Sequence, residues 1–398
     1  MRNLTFLLLA VIAVMPLTAR GAVEYTVTDL TELWQNSELF SGQNGYWHAN
    51  ALNDQGQVVG SFPDIGPPGY AILWDENNGL QEIGNLGVTA SNAIGINNNG
   101  QVVGRSADYS FLWSDSTGMI SLGSLNIMPN SGSSSDRAID INDQGIVVGA
   151  SASGDKPLGG AFVWTESAGM QPIGDFGGYR STATAINNSG QVVGYGDTAL
   201  GLGDEYRRAF LWDEDSGSQL LPLIGDDTAN QISEALDIND LGDVVGEIGF
   251  IFEGGLPGII IYPRRAILWQ DDTPHDLGDL GGINSSASAI NENGVIVGSS
   301  DISVTIGAPR SHAFIWDEEQ GMRDLNELIE QTPGPIPEIT LIDAIDINNN
   351  GWILAEAQYI GHFVLLKPIP EPSTATLLLI AAFCLPFFFR LRLLRVFY

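Results

Sequence analysis

The sequence predicts an all-β chain: a β-propeller of seven blades with about four antiparallel strands each, followed by a C-terminal transmembrane helix. Three observations predict it. One hairpin motif recurs seven times, an aromatic strand recurs seven times between the hairpins, and a terminal apolar run is closed by arginines. Between Tyr25 and Pro368 no stretch carries the apolar spacing of a helix.

The hairpin reads Ile-Asn-x-x-Gly-x-Val-Val-Gly. It occurs as Leu52 to Gly60, Ile96 to Gly104, Ile141 to Gly149, Ile186 to Gly194, Ile238 to Gly246, Ile290 to Gly298 and, degraded, Ile347 to Ala355. The interval is about 45 to 55 residues, in the range of propeller blades. A β-branched residue leads into Asn and Asp, which tolerate tight turns, then a Gly that can take positive φ, then Val-Val on the return strand. The repeated asparagines are therefore turn residues first.

The aromatic strand appears as Ala71 to Trp74, Phe111 to Trp113, Ala161 to Trp164, Ala209 to Trp212, Ala266 to Trp269, Ala313 to Trp316 and Phe363 to Leu366. A weaker third strand is expected at Ile83 to Gly87, Leu122 to Leu125, Ile173 to Gly178 and Leu277 to Gly282. Strands such as Ala183 to Ile186 do not alternate polar with apolar, as expected where both faces of a sheet are covered. Small residues before each hairpin suit strands crowded near an axis. The opening strand, Tyr25 to Leu30, matches the third element, while the last repeat ends on the aromatic strand. The two ends of the body either complete one sheet together or each unit forms its own blade. An open solenoid is the alternative, because a period alone does not distinguish a ring from a stack.

At the N-terminus Arg2 precedes an apolar run from Leu4 to Val14 and small residues ending at Ala19, Gly21 and Ala22. That order predicts a signal peptide over residues 1–22, cut between about Ala19 and Ala22. At the other end an apolar run from Ala375 to Phe389 is followed by Arg390, Arg392 and Arg395. It sits at the short limit of a spanning helix, and its basic flank favours a cytoplasmic end. Pro370, Glu371 and Pro372 stand directly before it. This order resembles the PEP-CTERM sorting tail, here residues 369–398, which implies recognition and cutting by an exosortase-type enzyme after transient anchoring in the inner membrane. A plain membrane anchor is the alternative.

The body, residues 23–368, reads as one seven-repeat array. Its pattern Ser311-His312-Ala313-Phe314-Ile315-Trp316-Asp317, with the Leu-Gly-x-Leu-Gly-Gly segment and the Asn hairpin, resembles the HAF family of bacterial extracellular repeats. Arg208, Arg265 or Gly160 replaces the histidine in other copies, which argues against a metal or catalytic role there. Trp-Asp pairs at Trp74, Trp212 and Trp316 lack the upstream Gly-His partner of WD repeats.

All 48 acidic residues lie between Glu24 and Glu371, whereas five of the 16 basic ones lie in the two end segments. A body this acidic repels nucleic acid and anionic lipid. The one cysteine, Cys384, lies in the terminal apolar run, so the body has no disulfide.

No catalytic constellation emerges. His48, His275, His312 and His362 are scattered over different repeats, and no nucleophile elbow, phosphate loop or zinc-protease helix is present. Oxygen ligands do collect beside the hairpin glycines, at Asp140, Asn142 and Asp143 and at Asp237, Asn239 and Asp240. These are weak calcium candidates, because their spacing is that of neither an EF-hand loop nor a glycine-rich calcium repeat; metal-free turns are the alternative. No other cofactor is indicated. The repeated strand tryptophans read as core residues before they read as sugar platforms.

The function expected is that of an exported, non-catalytic surface or matrix module, with exopolysaccharide or matrix proteins as partners. A hydrolase or lyase acting on surface glycan is the alternative. Clustered His, Arg and carboxylates in one cleft would favour the enzyme. The longest insertions, Asp197 to Arg207 and Ile248 to Pro263, are expected to carry partner contacts.

Overall fold

In the computed structural model each hairpin motif forms the turn between the two innermost strands of a four-stranded sheet. The structure describes residues 25–370 apart from 38–46, 63–68, 88–89, 126–135, 152–158, 199–206, 226–229, 254–259, 262, 304–310, 330–338 and 359–361. The segments expected to be a signal peptide and a terminal helix, with Glu371, Pro372, Arg390, Arg392 and Arg395, lie outside the described residues. Among the described residues no helix is long and apolar enough to cross a membrane. Residues Val27–Lys367 form one unit, the propeller; the chain ends group separately.

Blade 1 consists of His48–Leu52, Val58–Phe62, Tyr70–Asp75 and Gly79–Gly84, from axis to rim. The inner strands of blades 2 to 7 are Ser91–Ile96, Arg137–Ile141, Ser181–Ile186, Gln231–Ile238, Ser285–Ile290 and Leu341–Ile347. Blade 7 takes only three strands from the last repeat, and the opening strand Tyr25–Asp29 is its outermost. Both chain ends thus complete one sheet, and the array is a ring rather than a solenoid. Asp29 then caps a short helix, Leu30–Gln35, by accepting from the Glu32 N–H at 2.9 Å. Six residues are too few to show a helical period, so the sequence reading has no helix here. Thr31 accepts from the Phe363 N–H at 2.8 Å and His362 meets Asp29 at 3.0 Å, which ties the opening segment to the last blade.

Every inner strand carries a bulge at the same place, between Ala49 and Ala51 in blade 1 and at the equivalent positions in the other six. The bulge drives a carbonyl over the facing glycine of Val-Val-Gly. A Cβ on Gly60 would stand 1.8 Å from the His48 oxygen, and one on Gly194 would stand 2.0 Å from that of Thr182. The glycine is therefore a packing requirement. Blade 7 has Ala355 instead and compensates with a second register shift, between Leu341 and Asp343.

The Leu-Gly-x-Leu segments are not strands, contrary to the expectation from sequence. The outer strands are Gly79–Gly84, Gly118–Ser121, Gly169–Pro172 and Thr273–Asp276, and they end at or just before those segments. Positive φ at Gly84, Gly123, Gly174 and Gly278 breaks the extended run. The backbone N–H of the second leucine then reaches the next blade: Leu86 donates to Ser106 at 3.0 Å, Leu125 to Ser151 at 3.0 Å and Leu280 to Ser300 at 2.9 Å.

Apolar side chains gather between neighbouring blades. Phe111, Phe162, Phe210 and Phe314 are fully buried on the third strands, and Trp74, Trp113, Trp164 and Trp269 are buried beside them. A fully buried aromatic of this kind contributes about 1.5–3 kcal/mol. At the seam of blades 7 and 1, Trp34, Trp47 and Phe62 stack, with Trp47 and Phe62 centroids 4.0 Å apart. The position of His312 ties the third strand to the end of the outer strand or the turn beyond it: His312 meets Asp324 at 2.6 Å, Arg265 pairs with Asp279, and Arg208 donates to the Leu221 carbonyl.

Candidate functional site

The ring has two axial mouths, and they differ in kind. At one end the inner strands terminate in the Ile-Asn of the motif. Each motif Asn accepts, on Oδ1, the backbone N–H groups two and four residues ahead, as Asn53 does from Gln55 at 3.1 Å and Gln57 at 2.9 Å. Its side-chain amide donates to the backbone carbonyl of the equivalent Asn in the next blade. That bond runs from Asn53 to Asn97, Asn142, Asn187, Asn239, Asn291, Asn348 and back to Asn53, at 2.9–3.4 Å.

The residue after each motif Asn builds a second closed ring. The N–H of Asp54 donates to Asn98, and the chain continues through Asp143, Asn188, Asp240, Glu292 and Asn349 to Asp54 again, at 2.6–3.0 Å. One layer deeper, Asp140, Asp237 and Asp346 each accept two backbone N–H groups at 2.7–2.8 Å, one of them from the next blade. Around the axis these rings leave a polar recess of about 160 Å³, smaller than the roughly 300 Å³ at which small-molecule sites begin.

Burial pushes the Asp237 carboxyl up to about 8 and that of Asp346 up to about 7, and it raises Asp140 as well. The charges of Asp346 and Asp140 add to the rise at Asp237, while the N–H donors oppose it. All six calcium candidates lie in this mouth. Asp140, Asp237, Asn142 and Asn239 join blades through the bonds above, and Asp143 and Asp240 accept from Asn98 and Asn188. Among the described residues no three His, Cys, Asp or Glu side chains gather as metal ligands.

The opposite mouth breaks the repeat. The inner-strand residue five positions before each motif Asn is His48, Asn92, Arg137, Thr182, Glu234, Ser286 or Asp343, and the second-strand residue after each Gly or Ala355 is Ser61, Arg105, Ala150, Tyr195, Glu247, Ser299 or Glu356. In all seven blades the two face each other directly across the strands, as Glu234 faces Glu247 and Asp343 faces Glu356. The second-strand residue also lies near the inner-strand residue of the next blade: Ser286 acts to lower the Glu247 carboxyl, Ser299 that of Asp343, and the charge of His48 that of Glu356.

Two carboxylates directly opposite each other repel. In blade 5 arginines compensate, since Arg207 pairs with Glu234 and lies 4.9 Å over the Tyr195 ring, and Arg264 pairs with Glu247. Blade 7 has only His48 beside Glu356. Burial, reinforced by the charge of Glu356, pushes Asp343 up to about 6. Burial also raises Glu247 and Glu356.

Both long insertions open at this end. Asp197 pairs with Arg207 at the base of one, and Gly249 with Arg264 at the base of the other, where Phe252–Glu253 and Ile260–Ile261 form a short hairpin. Pro370 is the last described residue. The sequence reading singled out none of Arg105, Arg137, Glu234, Glu247, Asp343 or Glu356. The signal was available: aligned on the motif Asn, these two columns vary widely in charge and size, whereas the Asn itself and the glycine of Val-Val-Gly are nearly constant.

The chain matches the family described as "Protein of unknown function (DUF3466)" over residues 83–224 and 223–363, and it belongs to that family. No protein of curated function matches it. Among solved structures, the β-propeller domain of the Trilobed protease from Pyrococcus furiosus is 10% identical, with 82% of this chain and 86% of that one covered and a TM-score of 0.41. The putative TolB from Agrobacterium tumefaciens is 11% identical, with 73% and 94% covered and a TM-score of 0.42. The Myceliophteria thermophila Cps50 (Swd1) β-propeller domain is 10% identical, with 82% and 98% covered and a TM-score of 0.41.

Proposed function

We propose that this chain is exported through the inner membrane, processed at its C-terminal sorting signal by an exosortase-type enzyme, and retained at the cell surface or in the extracellular matrix. There its propeller acts as a non-catalytic binding or scaffold module for exopolysaccharide or matrix proteins. The observation that carries the scaffold reading is the pair of closed hydrogen-bond rings. They engage the polar groups of one mouth in holding blade to blade. The export reading rests on the order of parts at the two chain ends and on the resemblance of residues 369–398 to a sorting tail.

Intact-mass analysis of the protein recovered from the surface or medium of its host tests this reading. A species beginning near Val23 and ending near Pro370 to Pro372 is the expected result. Recovery only of membrane-bound chains that retain Arg395 would replace it with a permanent anchor.

A second reading, a glycan hydrolase or lyase, draws on one observation: Asp343 faces Glu356 with His48 alongside, a carboxylate pair that burial raises in both members. Release of reducing ends from surface glycan, abolished by Asp343→Asn, would favour it over the non-catalytic module.

A further inference from the structure

We propose that Arg105 and Arg137, at the variable mouth, form a binding site for the carboxylate groups of a uronic-acid polysaccharide. The inference deepens the binding half of the function proposed above and rests on it.

Arg105 is the second-strand residue of blade 2, and Arg137 is the inner-strand residue of blade 3. The second strand of blade 2, Val102–Ser106, packs against the inner strand of blade 3, Arg137–Ile141, as the equivalent strands do around the ring. That packing places Arg105 and Arg137 at neighbouring positions of the mouth. Both are exposed, and neither has a carboxylate partner among the described residues, although Arg207 and Arg264 at the same mouth each hold a glutamate. Like charges facing each other are unfavourable unless an anion lies between them, and paired arginines match the planar, two-oxygen geometry of a carboxylate.

The surroundings add a polar donor. Asn92 stands across the strands from Arg105 and takes the Asn50 amide on its Oδ1 at 3.0 Å, which leaves its own NH₂ to donate to a hydroxyl. Blade 2 joins its second and third strands through only Ala107 and Asp108, with Ala107 at φ 48°. At the base of that hairpin Tyr109 is 48% exposed and pairs with Ser106, so it lies on the other face of the sheet from Arg105. Asp136, just before Arg137, accepts the Ser151 hydroxyl at 2.6 Å.

Affinity electrophoresis of the full chain in detergent, at about 0.15 M salt where the Debye length is about 8 Å, tests the site. The probes are polygalacturonate, neutral dextran and dextran sulfate cast in the gel. Retardation by polygalacturonate alone is expected, with at least a tenfold loss of affinity in Arg105→Ala/Arg137→Ala and an unchanged melting temperature. Full retardation of that double variant, or none of the native chain, would overturn the proposal. Stronger retardation by dextran sulfate than by polygalacturonate would assign the arginines to a sulfate or phosphate ester and overturn the uronate assignment. Should the double variant unfold, the single Arg105→Gln and Arg137→Gln variants carry the same test. Loss of this binding from a chain still recovered at the surface in its processed form would remove the site and leave the exported scaffold standing.

Discussion

The side-chain amide of Asn348 donates to the backbone carbonyl of Asn53 at 3.0 Å, joining the last blade to the first across nearly the whole body. On the same side chain Oδ1 accepts the N–H groups of Asn350 and Trp352 at 3.0 and 2.9 Å. Both halves of a buried amide are in use, so removing it leaves buried donors unsatisfied. Asn348→Ala should lower stability by about 2–3 kcal/mol, and Asn350→Ala, which removes one exposed bond to Asp54, by about 0.5 kcal/mol or less. Urea unfolding of the two variants checks the difference, and equal effects would mean that the seam carries no special weight.

The close approach of inner-strand carbonyls to the second-strand glycines predicts an asymmetry. Gly194→Ala places a methyl where the Thr182 oxygen already stands and should cost about 3 kcal/mol or more. Ala355→Gly, at the equivalent position of blade 7, should cost only about 1 kcal/mol, the backbone-entropy penalty. Thermal unfolding of both variants tests this, since similar losses would show that the extra bulge in blade 7 does not relieve the contact.

The arginine pairs of blade 5 give a test at the variable mouth. Arg207 and Glu234 are both nearly buried, and breaking a buried pair by removing one member typically costs about 3–5 kcal/mol. Arg207→Ala should fall in that range, because it leaves Glu234 facing Glu247 without a cation. Arg207→Met/Glu234→Leu should recover most of the loss. A double variant as unstable as the single one would indicate a role for Arg207 beyond neutralising Glu234.

Seven blades and three of the four strand types were legible in the sequence because the hairpin and the aromatic strand repeat with their side-chain chemistry intact. The motif asparagines were legible only by half. Their Oδ1 contacts are local and follow from the turn, whereas the amide reaches a carbonyl about 45–55 positions away, in a direction no local pattern encodes. The Leu-Gly-x-Leu segment read as a strand because its leucines alternate with glycines. The positive φ of those glycines, which a sequence does not display, makes it a turn clipped to the next blade. The variable mouth escaped notice because reading for repetition discards the columns that do not repeat.

The axial aspartates set the pH dependence. Burial raises Asp237 to about 8 and Asp346 to about 7 in the folded protein, against about 3.9 unfolded. The folded state therefore binds protons that the unfolded state has already lost, and their contribution is complete below pH 4 and lost as pH rises toward 8. His362, raised by its bond to Asp29, acts in the same direction near neutrality. Asp29 and Asp75, both lowered, weaken the fold only as pH falls into the acid range. Stability should thus be highest near pH 5 and fall by several kcal/mol by pH 8. Asp237→Asn/Asp346→Asn should flatten that slope, and denaturant melts across the range would contradict the account if stability rose instead.

Amide hydrogen exchange at the ring residues Asp54, Asn98, Asp143, Asn188, Asp240, Glu292 and Asn349 tests most directly whether the axial rings are closed. These N–H groups sit in surface turns, where exchange is ordinarily fast, and only the bond to the next blade protects them. The account predicts that all seven exchange slowly and together, at the rate of global unfolding. Exchange at the rate of open loops, or faster exchange confined to Asn349 at the seam, would contradict the closed ring on which the scaffold reading stands.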